Sequence, residues 1–179
     1  TVKTTETSPE HLAELMVGRK VLLQVDKIPA QPGKPVLEIE NLRVVDEAGV
    51  ERVKGIDLTV RAGEILGIAG VSGNGQSALA SVIAGLRRPD IGSIQVDGVE
   101  ILNPDPKTMI RAGIGRIPED RHHDGIVGAM SVAENMVIER LDDPAVQTNG
   151  LLNRAAIAAN AETLSQSYDV RGPGINARA

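Results

Sequence analysis

The sequence predicts a mixed α/β domain, and three observations lead to this fold class. Two segments between residues 36 and 60 alternate apolar and polar residues, as half-buried strands do. An apolar run at 64–69 lies between glycines, which is typical of a strand buried on both faces of a sheet. A glycine-rich turn and a helical pattern follow this run, and strands and helices then continue without internal repeats.

A short helix and a linker are predicted ahead of the first strand. Ser8 can cap this helix, Pro9 suits its first position, and Gly18 ends the apolar pattern. Residues 20–35 contain three prolines and one glycine, so we interpret them as a linker that ends where the domain begins.

The remaining elements follow from turn and capping signals along the chain. Asp105 and Pro106 open a helix that Gly113 closes, and Ser131 with Glu134 forms a capping box at the start of another helix. In chain order the predicted elements are strands at 36–40, 56–60 and 64–69, a helix at 77–86, a strand at 94–96, a helix between 105 and 113, a strand at 114–117, and helices from 131 to about 141 and from 153 to about 168.

Composition excludes several classes of function. The chain carries 24 acidic and 19 basic residues with no dense basic run, so binding to nucleic acid through its phosphates is not expected. Tyr168 is the one aromatic residue, which removes the platforms on which bases stack, and the lack of cysteine excludes disulfides and thiolate metal sites. No apolar run reaches the ~18 residues that cross a bilayer, and no signal peptide is evident, so we expect a cytosolic protein. From the start at Thr1 rather than Met, we expect an excised fragment.

A candidate phosphate-binding loop follows the apolar run at 64–69. It matches the P-loop pattern G-x-x-x-x-G-K-S from Gly70 to Ser77 at every position except the lysine, which is Gln76. Glycines allow the backbone to curl so that several N–H groups face one concavity, and the helix N-terminus adds to the attraction for phosphate. The Ser77 hydroxyl is placed to contact Mg²⁺. The residues that we expect at the nucleotide are Gly70, Ser72, Gly73, Asn74, Gly75, Gln76, Ser77 and Ala78.

Two other interpretations of this loop remain open from these residues alone. One is an ordinary strand-to-helix turn, because glycine-rich turns are common. The other is a dinucleotide site, because Gly73, Gly75 and Ala78 fit the fingerprint G-x-G-x-x-G/A and Asp97 follows about 20 residues later, where an acidic residue would hold a ribose. The dinucleotide interpretation leaves the two strands before the loop unexplained.

Segments outside the loop resemble a known family. Residues 53–64 and 92–98 are similar to the segments that precede and follow the P-loop helix in ABC transporter ATPases. Three more segments resemble a narrower group, the second ATPase domain in the tandem ATP-binding subunits of bacterial importers for simple sugars and nucleosides. These three segments are 117–121, 124–126 and 131–136. Residues 7–19 are similar to the joint between the two ATPase domains of such subunits.

The resemblance implies a P-loop NTPase (ABC ATPase) domain with an antiparallel β-subdomain, incomplete at its C-terminus. It divides the chain into an inter-domain helix and linker at 1–35 and a partial ATPase domain at 36–179, whose helical subdomain starts at about residue 131. It implies ATP and Mg²⁺ as cofactors. The implied partners are transmembrane permease subunits and the other ATPase domain of the same subunit, at the cytoplasmic face of the inner membrane. The full subunit would be a transport-coupled ATPase, whereas we expect this fragment to be inactive, because it lacks the Ser-Gly-Gly signature, the Walker B strand and the catalytic glutamate.

Two departures from the family pattern predict a degenerate nucleotide site. Gln76 replaces the P-loop lysine, and Glu119 replaces the glutamine that contacts Mg²⁺ and faces the permease. No aromatic residue near Val44 and Val45 can stack on adenine. Loss of one charge-assisted hydrogen bond at Gln76 would weaken phosphate binding about 10- to 150-fold. An alternative is therefore that this domain binds no nucleotide and is a structural half of the ATPase dimer that only transmits motion.

Charged residues flank Glu119. Arg116 and Arg121 are candidates for contact with phosphate or with the permease, and simple solvent exposure is the competing interpretation. The adjacent His122 and His123 are predicted to lie in a solvated loop, because neighbouring histidines rarely converge on one metal ion.

Overall fold

The structure, a computed structural model, describes residues 7–18 and 29–179. Helix α1 (Pro9–Val17) confirms the first predicted helix: the Ser8 side chain accepts a hydrogen bond from the His11 N–H, and Gly18 ends the helix with a φ of 75°. No residue of α1 is buried. The predicted linker lies partly outside the described residues, and its described part, 29–34, has no regular secondary structure.

An antiparallel sheet forms the centre of the described chain. It contains β1 (Pro35–Val45), β2 (Glu51–Arg61), β3 (Ile91–Val96) and the two-residue β4 (Val99–Glu100), in the order β2-β1-β3-β4. The predicted strands at 36–40, 56–60 and 94–96 lie within β1, β2 and β3. This arrangement confirms the predicted antiparallel β-subdomain.

A β-bulge in β1 adapts the strand to the core. The register of β1 against β2 shifts between Ile39 and Leu42, and Asn41 within this stretch has a φ of 45°. Because one extra residue reverses the alternation of faces, Ile39 and Leu42 are both buried although they are three positions apart.

The main core is aliphatic, as the composition requires. Helix α2 (Gln76–Ile83) buries Leu79 and Val82, and helix α3 (Pro106–Arg111) buries Met109. The buried residues of this core are Leu37, Ile39, Leu42, Val44, Val53, Leu79, Val82, Ile94, Val96 and Met109. The core therefore attaches α2, and with it the candidate phosphate loop, to the sheet.

The predicted central strand at 64–69 is wrong. The segment has no regular secondary structure, and Ile65 and Ile68 are 98% and 55% exposed. Its apolar pattern indicates burial, but a strand also needs neighbours that supply hydrogen bonds, and no described strand lies beside it. The predicted strand at 114–117 is wrong for the same reason, and Ile117 is 88% exposed.

The last third of the chain builds a separate helical cluster. The capping box is confirmed, because the Ser131 hydroxyl accepts from the Glu134 N–H and the Glu134 carboxylate accepts from the Ser131 N–H. Helix α5 (Val132–Asn135) is shorter than predicted and gives way to a 3₁₀ turn at Ile138–Arg140. Helix α6 (Arg154–Ser167) confirms the last predicted helix. The residues buried in this cluster are Ala133, Val137, Val146, Ile157 and Ala161.

Three small elements were not predicted, and one of them is the two-residue strand β4. A one-turn helix α4 (Arg121–Asp124) stands where a loop was expected. A hairpin pairs β5 (Gln147–Thr148) with β6 (Leu151–Leu152). Across the described ranges, no helix combines the length and the apolar character that a bilayer span requires.

Candidate phosphate-binding site

The glycine loop leads directly into the N-terminus of α2. Gly73 and Gly75 have φ values of 87° and 96°, a region of conformation that glycine enters without strain. Gly75 caps α2, and within the described residues no side chain accepts a hydrogen bond from the first N–H groups of the helix. These N–H groups and the positive end of the helix dipole are therefore available to an anion.

Contact with β2 fixes the position of the loop. A Cβ atom on Gly75 would lie 2.2 Å from the carbonyl oxygen of Arg52. The two backbones can therefore lie this close together because residue 75 is glycine. On the other side, the Leu79 N–H donates to the Gly75 carbonyl at 2.9 Å, and Leu79 is buried in the core. Strand β2 and the core thus hold the loop at its exit, where Gly75 leads into α2.

The Gln76 side chain lies across the loop. Its Nε2 atom is 3.5 Å from the carbonyl oxygen of Val71, a distance at which a hydrogen bond is weak. A Cβ atom on Gly70 would lie 2.1 Å from the same Nε2. Because Gly70 has no side chain, the Gln76 side chain can occupy this space.

A cleft brings three of the predicted site residues together. Gln76 and Ser77 line it from α2, and Glu119 lines it from the segment that precedes α4. The volume of the cleft is about 510 Å³. The other residues that line it are Ala80, Ser81, Arg116, Ile117, Pro118 and Asp124.

The remaining predicted residues lie on other sides of the loop. Gly73 and Asn74 line a second cleft of about 450 Å³ together with β2 residues that include Arg52 and Lys54. Gly70 and Ser72 are exposed in the turn, and Ala78 packs against the main core. Ala78 is therefore a partly buried residue at the edge of the core and lines neither cleft.

The arginine beside the second cleft is already paired. Arg52 Nε lies 2.7 Å from the Asp46 carboxylate. The pKa of Asp46 is lowered, first by the backbone N–H of Val50 and then by the Arg52 side chain. This pair stabilises the turn between β1 and β2, so Arg52 is held at the sheet rather than directed at the loop.

The first cleft contains the basic residue Arg116, one of the two arginines that the sequence left open as candidates for contact with phosphate or with the permease. Its guanidinium lies 3.7 Å from the Asp124 carboxylate, which is also 2.6 Å from Nδ1 of His123. Arg121, the other arginine considered from sequence, does not line this cleft. No sequence signal separated the two arginines, because their positions depend on the fold of 113–125.

Oxygen ligands suitable for a phosphate-bound Mg²⁺ line the first cleft. Mg²⁺ in nucleotide sites takes one or two protein oxygens, and substrate phosphates and water supply the rest. The Ser77 hydroxyl and the Glu119 carboxylate face the same cleft and fit that requirement. In the part of the chain that the structure describes, no group of three or more acidic or histidine side chains is placed to hold a metal ion.

The topology contradicts the dinucleotide interpretation. A dinucleotide fold places the strand after the loop helix parallel to its neighbour, whereas β3 pairs antiparallel with β1. Asp97, the expected ribose ligand, lies in the turn between β3 and β4, where its carboxylate is 3.0 Å from the Lys34 ammonium. This position follows from the hairpin and leaves Asp97 outside both clefts of the loop.

Comparison with known sequences gives close relatives. The sequence profile of the family described as ABC transporter matches residues 53–171, more than half of the chain. The glucose import ATP-binding protein of Haloferax volcanii is 44% identical over 172 residues, which cover 96% of this chain and 31% of that protein. The nucleoside import ATP-binding protein of Lactococcus lactis is 42% identical over 174 residues, which cover 97% of this chain and 34% of that protein. The chain spans about a third of the length of these relatives.

Comparison with solved structures shows that the fold is similar to that of ABC transporter cassettes. The dimeric structure of a bacterial ABC transporter cassette matches with a TM-score of 0.62 at 17% identity, covering 79% of this chain and 61% of that one. At this identity the likeness concerns the fold alone. It confirms the predicted α/β P-loop ATPase fold class.

Proposed function

The chain belongs to the ABC transporter family, and we propose that it is part of the ATP-binding subunit of an importer for a simple sugar or a nucleoside. The import proteins to which it is 44% and 42% identical support both substrate classes. The subunit would be an ATPase that hydrolyses ATP with Mg²⁺ to drive transport.

The loop and its cleft carry this proposal. The backbone of Gly73, Asn74, Gly75 and Gln76 would cradle the phosphates at the uncapped N-terminus of α2. Ser77 and Glu119 face one cleft, so Ser77 would contact Mg²⁺ while Glu119 would act as the switch toward the permease. Supporting this assignment, the loop glycines have the positive φ values that a curled phosphate loop requires.

The tandem arrangement is part of the same proposal. Residues 1–35 would join two ATPase domains of one subunit, and residues 36–179 would belong to the second domain, with its helical subdomain from about residue 131. The partners would be the other ATPase domain and the transmembrane permease subunits, at the cytoplasmic face of the membrane. The nucleotide site would be degenerate, because Gln76 and Glu119 together make it less positive than a site with lysine and glutamine.

Calorimetric titration of the chain with ATP-Mg²⁺, and with NAD in parallel, tests the proposal. We expect weak binding of ATP-Mg²⁺ and none of NAD. Gly73→Asp should abolish the binding by placing a carboxylate among the phosphates. Gly98→Asp is a matched control, because both glycines have positive φ and no atom within 4 Å of an added Cβ, whereas Gly98 lies in the turn between β3 and β4.

Failure to bind ATP-Mg²⁺ would favour the alternative of a structural half that only transmits motion. Binding that Gly73→Asp leaves unchanged would place the nucleotide elsewhere on the chain. Both results contradict the proposed site.

A further inference from the structure

Among the described residues, the cleft lined by Gln76, Ser77 and Glu119 has one basic side chain, and this side chain does not come from the loop. Gln76 is neutral at the position where the P-loop pattern has lysine. Among the described residues that line the cleft, Arg116 is the one cation, and it comes from the segment across from α2. We propose that Arg116 binds the phosphates of the nucleotide and supplies the positive charge that residue 76 lacks. This inference rests on the proposed nucleotide-binding function.

The Arg116 guanidinium has no close partner among the described residues. Its distance of 3.7 Å from Asp124 is the longest among the ion pairs of the described residues and exceeds hydrogen-bonding distance. Yet its side chain is only 36% exposed, less than any other ion-paired arginine in the described ranges. Arg116 thus borders the cleft with its N–H donors available to a ligand.

Asp124 is positioned to hold Arg116 loosely. Helix α4 fixes Asp124, since the Asp120 carboxylate caps the helix and the Asp124 N–H donates to the Asp120 carbonyl at 2.9 Å. The Asp124 carboxylate also contacts Nδ1 of His123 at 2.6 Å, so it is shared between two side chains. A phosphate can offer Arg116 two parallel charge-assisted hydrogen bonds, which are stronger than this long ion pair.

The backbone around Arg116 allows the side chain to reorient. Gly113 has a φ of 92°, and an added Cβ on Gly113 or on Gly115 would meet no atom within 4 Å. The intervening segment 114–118 has no regular secondary structure, so no ladder hydrogen bond fixes its direction. Arg121, in contrast, begins α4 and lies outside the cleft, which makes it a suitable control.

Titration with ATP-Mg²⁺ and with tripolyphosphate-Mg²⁺ tests the inference on the chain itself. Arg116→Gln should weaken both ligands about 5- to 30-fold, the effect of one partly solvated charge-assisted contact. Arg116→Lys should retain part of the affinity, because it keeps the charge but loses the two-pronged geometry. Arg121→Gln should stay within about twofold of the unmodified chain, since its charge is screened and outside the cleft.

A double-mutant cycle with Gln76→Lys separates direct phosphate contact from a structural role. If Arg116 stands in for the missing lysine, Arg116→Gln should cost less in the Gln76→Lys background than in the unmodified chain. A purely structural role would give the same loss in both backgrounds. Circular dichroism and the Tm of each variant verify that the fold is retained.

The outcomes separate this inference from the proposed function. ATP-Mg²⁺ binding that Gly73→Asp abolishes and Arg116→Gln leaves unchanged would overturn the role of Arg116 and keep the loop as the site. An equal loss from Arg116→Gln and Arg121→Gln would also overturn it, since it would show a general charge effect. Absence of ATP-Mg²⁺ binding in the unmodified chain would remove both proposals together.

Discussion

Replacing Gln76 with lysine should tighten the binding of ATP-Mg²⁺. Residue 76 is the first of α2, and its side chain already crosses the loop toward Gly70 and the Val71 carbonyl. A lysine can follow the same path, because Gly70 has no Cβ atom to obstruct it. The glycines and Ser77 are in place, so no rebuilding of the loop is needed.

The structure sets the size of the gain. The contact that Gln76 loses is the weak one at 3.5 Å, so its removal costs little. A charge-assisted hydrogen bond contributes roughly 1.5–3 kcal/mol, and ordering the lysine side chain reduces this to about 1–2 kcal/mol. The affinity should therefore rise about 5- to 30-fold.

Calorimetry at two ionic strengths measures this gain and its origin. The advantage of Gln76→Lys should shrink as the Debye length falls from about 10 Å at 0.1 M salt to about 3 Å at 1 M. Gln166→Lys adds the same charge on an exposed position of α6, far along the chain from the loop, and should leave the affinity unchanged. Equal affinities for the Gln76→Lys protein and the unmodified chain would refute the assignment of this loop as a phosphate site.

Three further predictions concern activity, association and pH. The isolated 179-residue chain should release phosphate from ATP at the background rate, because the signature, the Walker B strand and the catalytic glutamate are not among its residues. Turnover that survives repurification and disappears in Gly73→Asp would contradict this prediction. The exposed apolar segment 64–70 should exchange its amide protons rapidly and promote self-association of the chain. A monodisperse monomer in light scattering, with slow amide exchange in this segment, would argue against the prediction. The pKa of Glu134 is lowered by the N–H and then by the hydroxyl of Ser131. The free energy of unfolding should therefore fall as the pH drops below the ordinary value of 4.5, and urea unfolding of Glu134→Gln should show a smaller fall.

Local signals predicted the helices well. The Ser8, Asp105 and Asn153 side chains each accept a hydrogen bond from a backbone N–H three residues later, as a cap does. Each cap depends on neighbouring residues alone, so the sequence contains all the information that it needs. The hairpin at β5 and β6 also had a local signal, since Asn149 and Gly150 both have positive φ, the conformation that Asn-Gly favours in a two-residue turn.

Non-local pairing is where prediction from the sequence failed. The pattern of 64–69 shows that its side chains are apolar, but strand formation depends on which segments lie beside it. The candidate site also has parts that a local pattern predicted and parts that depend on the fold. The loop glycines follow from the P-loop pattern, and Glu119 was expected only through the family resemblance. The place of Arg116 in the cleft follows from the turn at Gly113, which the sequence predicted as the end of a helix, and from α4, which no sequence pattern predicted.

The left-handed conformations of the loop glycines do not depend on the strand that was wrongly predicted before them. A strand preceding a P-loop would ordinarily fix the entry to the turn, yet 64–69 is unpaired here and the glycines still adopt left-handed conformations. The constraint acts from the other side: Gly75 touches the backbone of β2 at Arg52, and Leu79 and Val82 anchor α2 in the core. In the proposed site the loop exit and the helix N-terminus would supply the phosphate-facing N–H groups, so the part that would bind anions is the part that the sheet holds. The shape of the loop can therefore persist without its lysine, and the charge at the cleft can come from another segment.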